Sequence, residues 1–343
     1  MKLSDSQRER YSRMLALKDF SESNMKSIMN TTIAVVGAGG LGSPALRSLT
    51  AIGFGKIRII DRDIVELSNI QRQTIYNTQD IGAPKVEAAS TNLKMVNPNV
   101  EFDPLCVSIR EDNALDLLSG ADIILDGLDS FKARRAVNIA SQELRIPYIF
   151  AGAVEYYANL STFVPSKTGC LNCVMGNAED NPDNTCAQVG VSPTLLSLAA
   201  AVEVNEAIRL ATGREPLLGN RLMTIDSGFL TFDFFDIGKA EDCPVCSKSE
   251  QSVMVRTNDI TVTQLCSQSY NISPPKKEKL NLKEIAQKLD QSYSVKSTHT
   301  SILVTLTTGE KVTLMTSGSA IVKGVDTADD AIRLYELILK KTI

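Results

Sequence analysis

The glycines of Gly37-Ala38-Gly39-Gly40-Leu41-Gly42, directly after the apolar run Thr32-Ile33-Ala34-Val35-Val36, have the spacing of a phosphate-binding turn. Glycine lets a backbone turn approach phosphates, and a following helix offers unpaired N–H groups and a positive dipole end. Such a turn specifies a nucleotide and nothing finer. Asp61 ends the next apolar run, Lys56-Ile57-Arg58-Ile59-Ile60, where a dinucleotide site places the acid that holds a ribose. A plain dinucleotide site has no use for the polar stretch Asn69-Ile70-Gln71-Arg72-Gln73, whose amides and guanidinium can reach back toward a triphosphate. That stretch points to chemistry on ATP itself.

The cysteines carry a second chemistry. Cys170-Leu171-Asn172-Cys173 and Cys243-Pro244-Val245-Cys246 form two CxxC pairs. One pair alone suits a redox dithiol, but neither sits in a thioredoxin-like setting. Two pairs in one chain suit a tetrahedral four-cysteine zinc site, each pair presenting two thiolates to one ion. The long insertion between them is tolerable if it folds by itself, because loop-closure entropy grows only logarithmically. The plainer alternative is that some of the four are buried thiols. Cys186 sits apart, in Asn184-Thr185-Cys186-Ala187-Gln188-Val189-Gly190, just before an apolar helical pattern. A thiol near a helix N-terminus can have its pKa lowered, so Cys186 is a candidate nucleophile. Its alternative is a small residue packed at a helix start. Cys106 reads as a core thiol and Cys266 as structural, and His299 is the single histidine. With no second histidine to form a Ser–His or Cys–His pair near the motifs, phosphate-handling groups must drive the reaction.

These residues need a scaffold that brings them together. Strand-like runs at 32–36, 56–60, 100–107, 121–125 and 147–151 alternate with helical patterns at 43–52, 85–95, 114–118 and 131–144. The rhythm predicts an α/β fold with a doubly wound, mostly parallel, Rossmann-like sheet. Ligands on such sheets sit at the carboxyl ends of the strands, where the 37–42 turn, Asp61 and the 126–130 loop all fall. A helical stretch over 5–29 precedes the sheet, and the stretch 151–190 breaks the rhythm with Gly, Pro, Asn and Asp. The helix expected at 193–210 is uncharged until Glu203, so its first half should be buried, and two strands follow at 221–225 and 230–235. The organisation expected is an adenylation unit with the zinc knuckles over 1–250, a linker region over 251–281 and a small α+β unit over 282–343. Within the last unit, helices are expected at 282–289 and 327–340 and a hairpin at 302–306 and 311–315.

The bulk numbers narrow the class. The chain has 343 residues, 43% hydrophobic and 22% charged, which is ordinary for a soluble globular protein with a sizeable core. A formal charge of −4 gives no support to nucleic-acid binding. No apolar run approaches the roughly 20 residues of a membrane span, and the polar start Met1-Lys2-Leu3-Ser4-Asp5 has no signal-peptide core. The expectation is a cytoplasmic protein whose cysteines are ligands, nucleophiles or buried thiols before disulfides.

The block from Asp61 to Gln73, with the glycine turn before it and Ala83-Pro84-Lys85 after it, resembles the ThiF/MoeB/HesA adenylyltransferases, prokaryotic relatives of ubiquitin-activating enzymes. The likeness extends to Arg10-Tyr11-Ser12-Arg13, both CxxC pairs and the 185–190 segment, and covers roughly residues 6–250. The stretch from Leu265 to Lys340 more loosely resembles a small C-terminal domain of some members. The resemblance implies that ATP reacts with the C-terminal Gly-Gly of a ubiquitin-fold carrier, giving an acyl-adenylate and pyrophosphate. It implies a nucleotide-binding set of Gly37, Gly39, Gly40, Gly42, Asp61, Asn69, Arg72, Gln73, Lys85, Asp129 and Ser130. Asp61 would hold the ribose, Asn69, Arg72 and Lys85 would stabilise triphosphate charge, and Asp129 would hold Mg2+. Arg13 would reach across a homodimer into the neighbouring site, and Cys186 would accept the activated group in a later step.

Two departures stand out. Family members commonly have Thr-Asp-Asn where this chain has Leu128-Asp129-Ser130, so a supporting Asn becomes the shorter Ser130. The C-terminal unit also lacks a rhodanese-type loop with a cysteine. Alternatives weighed against carrier adenylation are activation of a small peptide or other carboxylate, a non-catalytic ATP- or carrier-binding scaffold, and an NAD-dependent oxidoreductase. The last leaves Arg72, Lys85 and the zinc knuckles without a role.

Overall fold

The structure, a computed structural model, describes residues 3–176, 178–180, 189–247, 260–265, 269–274, 280–298 and 301–340. Cys186, Cys266 and His299 lie outside the described residues. β1 (Thr32–Val36) is an apolar run flanked by β2 (Lys56–Asp61) and β4 (Ile123–Asp126), both parallel to it. Strands covered on both faces need continuous apolar sequence, and all of β4 and nearly all of β1 are buried. With β3 (Glu101–Cys106), β5 (Tyr148–Val154), β6 (Tyr157–Phe163), β7 (Arg221–Asp226) and β8 (Thr231–Asp236) they form one eight-stranded sheet, ordered β3-β2-β1-β4-β5-β6-β7-β8. The strands run parallel as far as β5, and β6, β7 and β8 continue it antiparallel. The doubly wound α/β expectation holds. The strand order reverses around β1, which opens a crevice at the carboxyl ends of β1 and β4.

Two sequence expectations change. The helical stretch over 5–29 is three helices, Asp5–Arg10, Ser12–Leu15 and Glu22–Asn30. Ser21 restarts the chain with a capping box, its side chain accepting from the Asn24 N–H while the Ser21 N–H donates to the Asn24 side chain. The second concerns 151–190, where β6 turns back on β5 after Glu155 takes a left-handed conformation at φ 51°. A tight reversal of this kind carries no helix-strand rhythm in the sequence.

The helix Pro193–Ala211 packs across the sheet with Leu195, Leu196, Ala199, Ala200, Val204 and Ala207 buried, so burial runs well past its first half. A second sheet of six antiparallel strands follows: β9 (Thr261–Leu265), β10 (Ser269–Ser273), β11 (Ser294–Ser297), β12 (Ser301–Thr305), β13 (Lys311–Met315) and β14 (Ala320–Lys323). Its order is β11-β12-β13-β14-β10-β9. The helices Leu282–Leu289 and Ala328–Lys340 share a core with it through Ile285, Leu289, Tyr335 and Ile338. The stretch 251–281, expected as a linker, contributes β9 and β10. Short polar strands such as Ser-Tyr-Asn-Ile-Ser look like linker until their partners are known, since β10 is buried between β14 and β9. Among the described residues no helix is long and apolar enough to cross a membrane.

Candidate active site

The glycine turn is dictated by backbone crowding. Gly37 has φ +98°, and a Cβ there would lie 2.3 Å from the carbonyl oxygen of Gly127, at the end of β4. A Cβ on Gly42 would lie 1.8 Å from the Gly37 carbonyl oxygen, and one on Gly127 would lie 2.4 Å from the same atom. Three backbone segments therefore touch with no room for side chains. Gly40 meets only the Leu196 side chain, and Gly39 faces the Gln73 amide with space to spare. The Gly37 N–H donates to the Ile60 carbonyl at 2.7 Å, which fixes the turn to the end of β2.

Asp61 completes that fixation. Its Oδ2 accepts from the Ala38 N–H at 2.7 Å and its Oδ1 from the Asp63 N–H at 2.7 Å. Burial, reinforced by Asp63, raises its pKa above the usual carboxylate range against the opposing pull of Lys85. Lys85 opens the helix Lys85–Val96 and is only 5% exposed. Its Nζ donates to Asp63 Oδ2 at 3.1 Å, and its backbone N–H donates to the Asp63 carbonyl at 2.8 Å. Burial works against the ammonium, yet Asp63 and Asp61 outweigh it and raise the Lys85 pKa, with Asp129 contributing to the same field. Burial likewise works against the Asp63 carboxylate, but the attraction of Lys85, then Arg62, outweighs it and lowers the pKa.

The 66–73 segment lines one side of the crevice. Asn69 is buried on the one-turn helix Leu67–Ile70, its Oδ1 accepting the Glu66 N–H at 3.1 Å in a capping box. That leaves the Asn69 amide nitrogen as the end that can donate to a ligand. Gln73 is 3% exposed, and among the described residues its Oε1 has no hydrogen-bond partner. The end of the amide nearest the glycine turn is Nε2, a donor that suits a phosphate there, while the unpartnered Oε1 is an acceptor that suits a ligand hydroxyl. Arg72 donates to the Ser68 carbonyl at 2.9 Å and lines an open cleft of about 440 Å³ with Gln71, Thr74, Pro193, Thr194, Ser197 and Leu198. The donor set and the glycine cradle thus fit a nucleoside triphosphate.

Asp129 stands exposed in the loop after β4 and contributes to the field on Lys85. That loop rests on a buried ion pair which sequence reasoning missed. Arg134, on the helix Phe131–Leu144, donates from Nε to Asp126 Oδ2 at 3.1 Å and from a guanidinium nitrogen to the carbonyls of Leu128 and Ala151. Tyr148 donates to the same Asp126 oxygen. An arginine on the buried face of an amphipathic helix was the available signal. Ser130 caps the Phe131–Leu144 helix, accepting from the Ala133 N–H at 3.3 Å. Asp180 adds a second cap by accepting the Phe131 N–H at 2.6 Å and the Lys132 N–H at 3.2 Å. Asp63, Gly127 and Asp180 were likewise absent from the sequence-derived set. Arg13 is exposed on the Ser12–Leu15 helix, whereas its neighbour Tyr11 is buried and its hydroxyl accepts from Asn97 at 3.0 Å.

Away from the crevice, the four paired cysteines converge, with ligand atoms all within 4.8 Å of one another. Sγ separations are 4.0 Å for Cys170–Cys173, 3.6 Å for Cys170–Cys243 and 3.4 Å for Cys173–Cys246. Zinc–sulfur bonds of about 2.3 Å in a tetrahedron put sulfurs roughly 3.8 Å apart, so the four thiols fit one zinc ion. Asn138 donates to Cys170 Sγ at 3.6 Å, a supporting contact of the kind that orients ligands. Cys106, expected as a core thiol, is only partly buried, packed against Ile64, Met315 and Ile321, and burial pushes its pKa well up.

Comparison with known proteins bears on this geometry. The ThiF family profile matches residues 11–245. The SAMP-activating enzyme E1 of Haloferax volcanii is 30% identical over 251 residues, covering 72% of this chain and 92% of that protein. The sulfur carrier protein ThiS adenylyltransferase of Bacillus subtilis is 28% identical over 338 residues, covering 95% and 98%, so the similarity continues through the second sheet. Among solved structures, Escherichia coli MccB with MccA-N7isoASN superposes with a TM-score of 0.63 at 25% identity, over 71% of this chain and 76% of that one.

Proposed function

Since the chain belongs to the ThiF family, we propose that it adenylates the C-terminal glycine carboxylate of a ubiquitin-like or sulfur-carrier protein with ATP. The single observation that carries this reading is the partly buried Lys85–Asp63 pair beside the glycine turn that Asp61 holds. A carboxylate oxygen of the carrier attacks the α-phosphorus, the α–β phosphoanhydride bond breaks, and pyrophosphate leaves with the electron pair. The protein's task is to hold the charge that develops on the phosphates.

Each residue has a part suited to its position. The amides around Gly39 and Gly40 approach the phosphates, and Asp61 takes the ribose while bracing the turn. Lys85 is held cationic by its acidic neighbours, and Asn69, Arg72 and Gln73 supply further donors. Asp129, exposed and facing the same field as Lys85, would hold Mg2+, which neutralises the departing pyrophosphate. The four-cysteine cluster would hold zinc as a structural clamp between the 170–173 turn and the chain beyond β8. Arg13, exposed on its short helix, would complete the site of a second subunit in a homodimer. Cys186 would take the activated group only after adenylation.

A protein substrate also suits the surface. Phe229, Leu230, Phe232, Phe234 and Phe235 stand exposed beside and on both faces of the edge strand β8, apolar surface for which a small carboxylate has no use. The test is ATP–pyrophosphate exchange with Mg2+, with and without a ubiquitin-fold protein ending in Gly-Gly from the same genome. Carrier-dependent exchange supports the reading. Exchange with a peptide alone moves the substrate to the alternative class, and ATP binding without exchange under any condition leaves a scaffold. Asp129→Ala should abolish exchange, whereas Cys186→Ala should retain it and lose a later transfer.

A further inference from the structure

The second sheet does not stand apart from the crevice. Its last strand ends at Lys323, and the Lys323 ammonium pairs with the Glu66 carboxylate, both side chains being about three-quarters buried at 29% and 23% exposure. Glu66 caps the one-turn helix that presents Asn69, its carbonyl accepting from the Asn69 N–H at 2.9 Å while the Glu66 N–H donates to Asn69 Oδ1 at 3.1 Å. A second contact joins Thr298 Oγ1 to Glu87 Oε2 at 3.0 Å, in the first turn of the helix that Lys85 begins. A third joins Ser317 Oγ to the carbonyl of Cys106 at 3.5 Å, and Cys106 is the register partner of Asp61. Ile64, Cys106, Met315 and Ile321 pack in the space between. Each of these contacts falls on, or directly beside, an element that carries a nucleotide residue.

We propose that Lys323 is a positioning residue for ATP: through Glu66 it holds the 61–73 segment in the geometry that presents Asn69 beside the Asp63–Lys85 pair. The inference rests on the nucleotide reading above and adds a role for the C-terminal sheet. A short capped helix of four residues has too few internal bonds to hold itself, so its orientation comes from what grips its ends. Glu66 grips from inside and Lys323 fixes Glu66 from outside. The Lys323 charge also lies in the field of Asp63 and favours its ionised form, which is the form Lys85 needs. Both effects act before the nucleotide arrives, so they set the affinity for ATP and leave recognition of the carrier alone.

The test measures ATP affinity by calorimetry with a non-hydrolysable analogue, together with exchange kinetics, on the full chain. Lys323→Ala is expected to weaken the analogue roughly five- to tenfold and raise KM for ATP equally, with KM for the carrier unchanged. Glu66→Gln should move the same way, and Lys323→Arg should restore most of the affinity. Ser108→Ala removes a different contact of the same interface, the 2.9 Å bond to Asn271 Oδ1, and should leave ATP affinity within about twofold. If Ser108→Ala weakens ATP as much as Lys323→Ala, the sheet is only glue and the inference is overturned. Unchanged affinity in Lys323→Ala, with normal binding in the parent protein, overturns it alone. A parent protein that binds no ATP overturns the nucleotide reading and this inference with it.

Discussion

Lys85 is tied to Asp63 twice, by its Nζ at 3.1 Å and by its backbone N–H at 2.8 Å, so the cation and its counter-ion are placed by one short stretch of backbone. Replacement of Lys85 by Met should therefore lower the exchange rate by roughly 10²–10³, the loss typical of removing one positioned donor from a developing charge. The pair also sets a pH window. Asp63 has a lowered pKa, so its stabilisation is present above the ordinary carboxylate value of about 3.9 and lost as pH falls through its folded value. Lys85 has a raised pKa, so its share is full below about 10.4 and lost as pH rises through its folded value. Between those limits, an exchange profile measured from about pH 6 to 9 should show no titration of this pair.

Glu203 makes the opposite kind of pH claim. It is fully buried on the apolar Pro193–Ala211 helix, and among the described residues neither carboxylate oxygen has a hydrogen-bond partner. Burial first, and then Asp126, raises its pKa well above the usual range. A raised pKa means that folding takes up a proton, so this residue's contribution is full below about pH 4 and is lost as pH rises toward the folded value. Glu203→Gln removes that proton uptake. Its Tm relative to the parent should climb with pH and converge with the parent's near pH 4, as thermal melts at several pH values would show.

The crowded glycines separate two substitutions that look alike on paper. Gly42→Ala puts a methyl 1.8 Å from the Gly37 carbonyl oxygen, where only backbone can yield. Gly40→Ala meets a Leu196 methyl at 2.7 Å, which a rotamer change relieves. The first should cost on the order of 3 kcal/mol and abolish ATP binding, and the second less than about 1 kcal/mol. Urea melts and calorimetry on both variants check the contrast.

What the sequence made legible was local. The apolar runs and the helical spacing between them gave the parallel half of the sheet, and the glycine turn and Asp61 fell at its strand ends as expected. Asp63, Gly127 and Asp126 were not legible, because each acquires its role from contacts that the fold alone creates, and Arg134 showed only as an arginine on the buried face of a helix. Gly127 must be glycine only because β4 lies beside β1 and meets the Gly37 carbonyl. Asp63 matters because the chain returns 22 residues later to seat Lys85 on it. β10 hid for a related reason: its five residues are buried by neighbours on both sides, including β14 from some fifty residues later, rather than by any alternation of its own. The C-terminal contact on Glu66 spans 257 residues, beyond the reach of any pattern in the chain.

The four-cysteine cluster gives the last prediction, and its logic is that of closure. Cys170 and Cys173 begin a one-turn helix, while Cys243 and Cys246 lie beyond β8, so one ion would join two ends of a long excursion through the antiparallel strands. Without a cation, burial pushes Cys170 up to about 11, whereas at Cys243 burial is overcome by hydrogen bonds from the Cys246 and Val245 N–H groups and the neighbouring thiols, which bring it down to about 7, so the bare cluster does not hold four thiolates. Zinc relieves this by accepting all four as thiolates, so metal affinity and stability are one quantity. Mass spectrometry of the purified protein should find about one zinc per chain, and none in Cys173→Ala. That variant, or treatment with a strong chelator, should lower Tm by about 6–12 °C, the shift that roughly 3 kcal/mol produces in a domain of about 150–250 residues. The crevice proposed for ATP is built by other strands, so at temperatures well below the lowered Tm the exchange rate should fall far less than it does in Lys85→Met. An equal loss of exchange would move the cluster from a clamp into the nucleotide machinery.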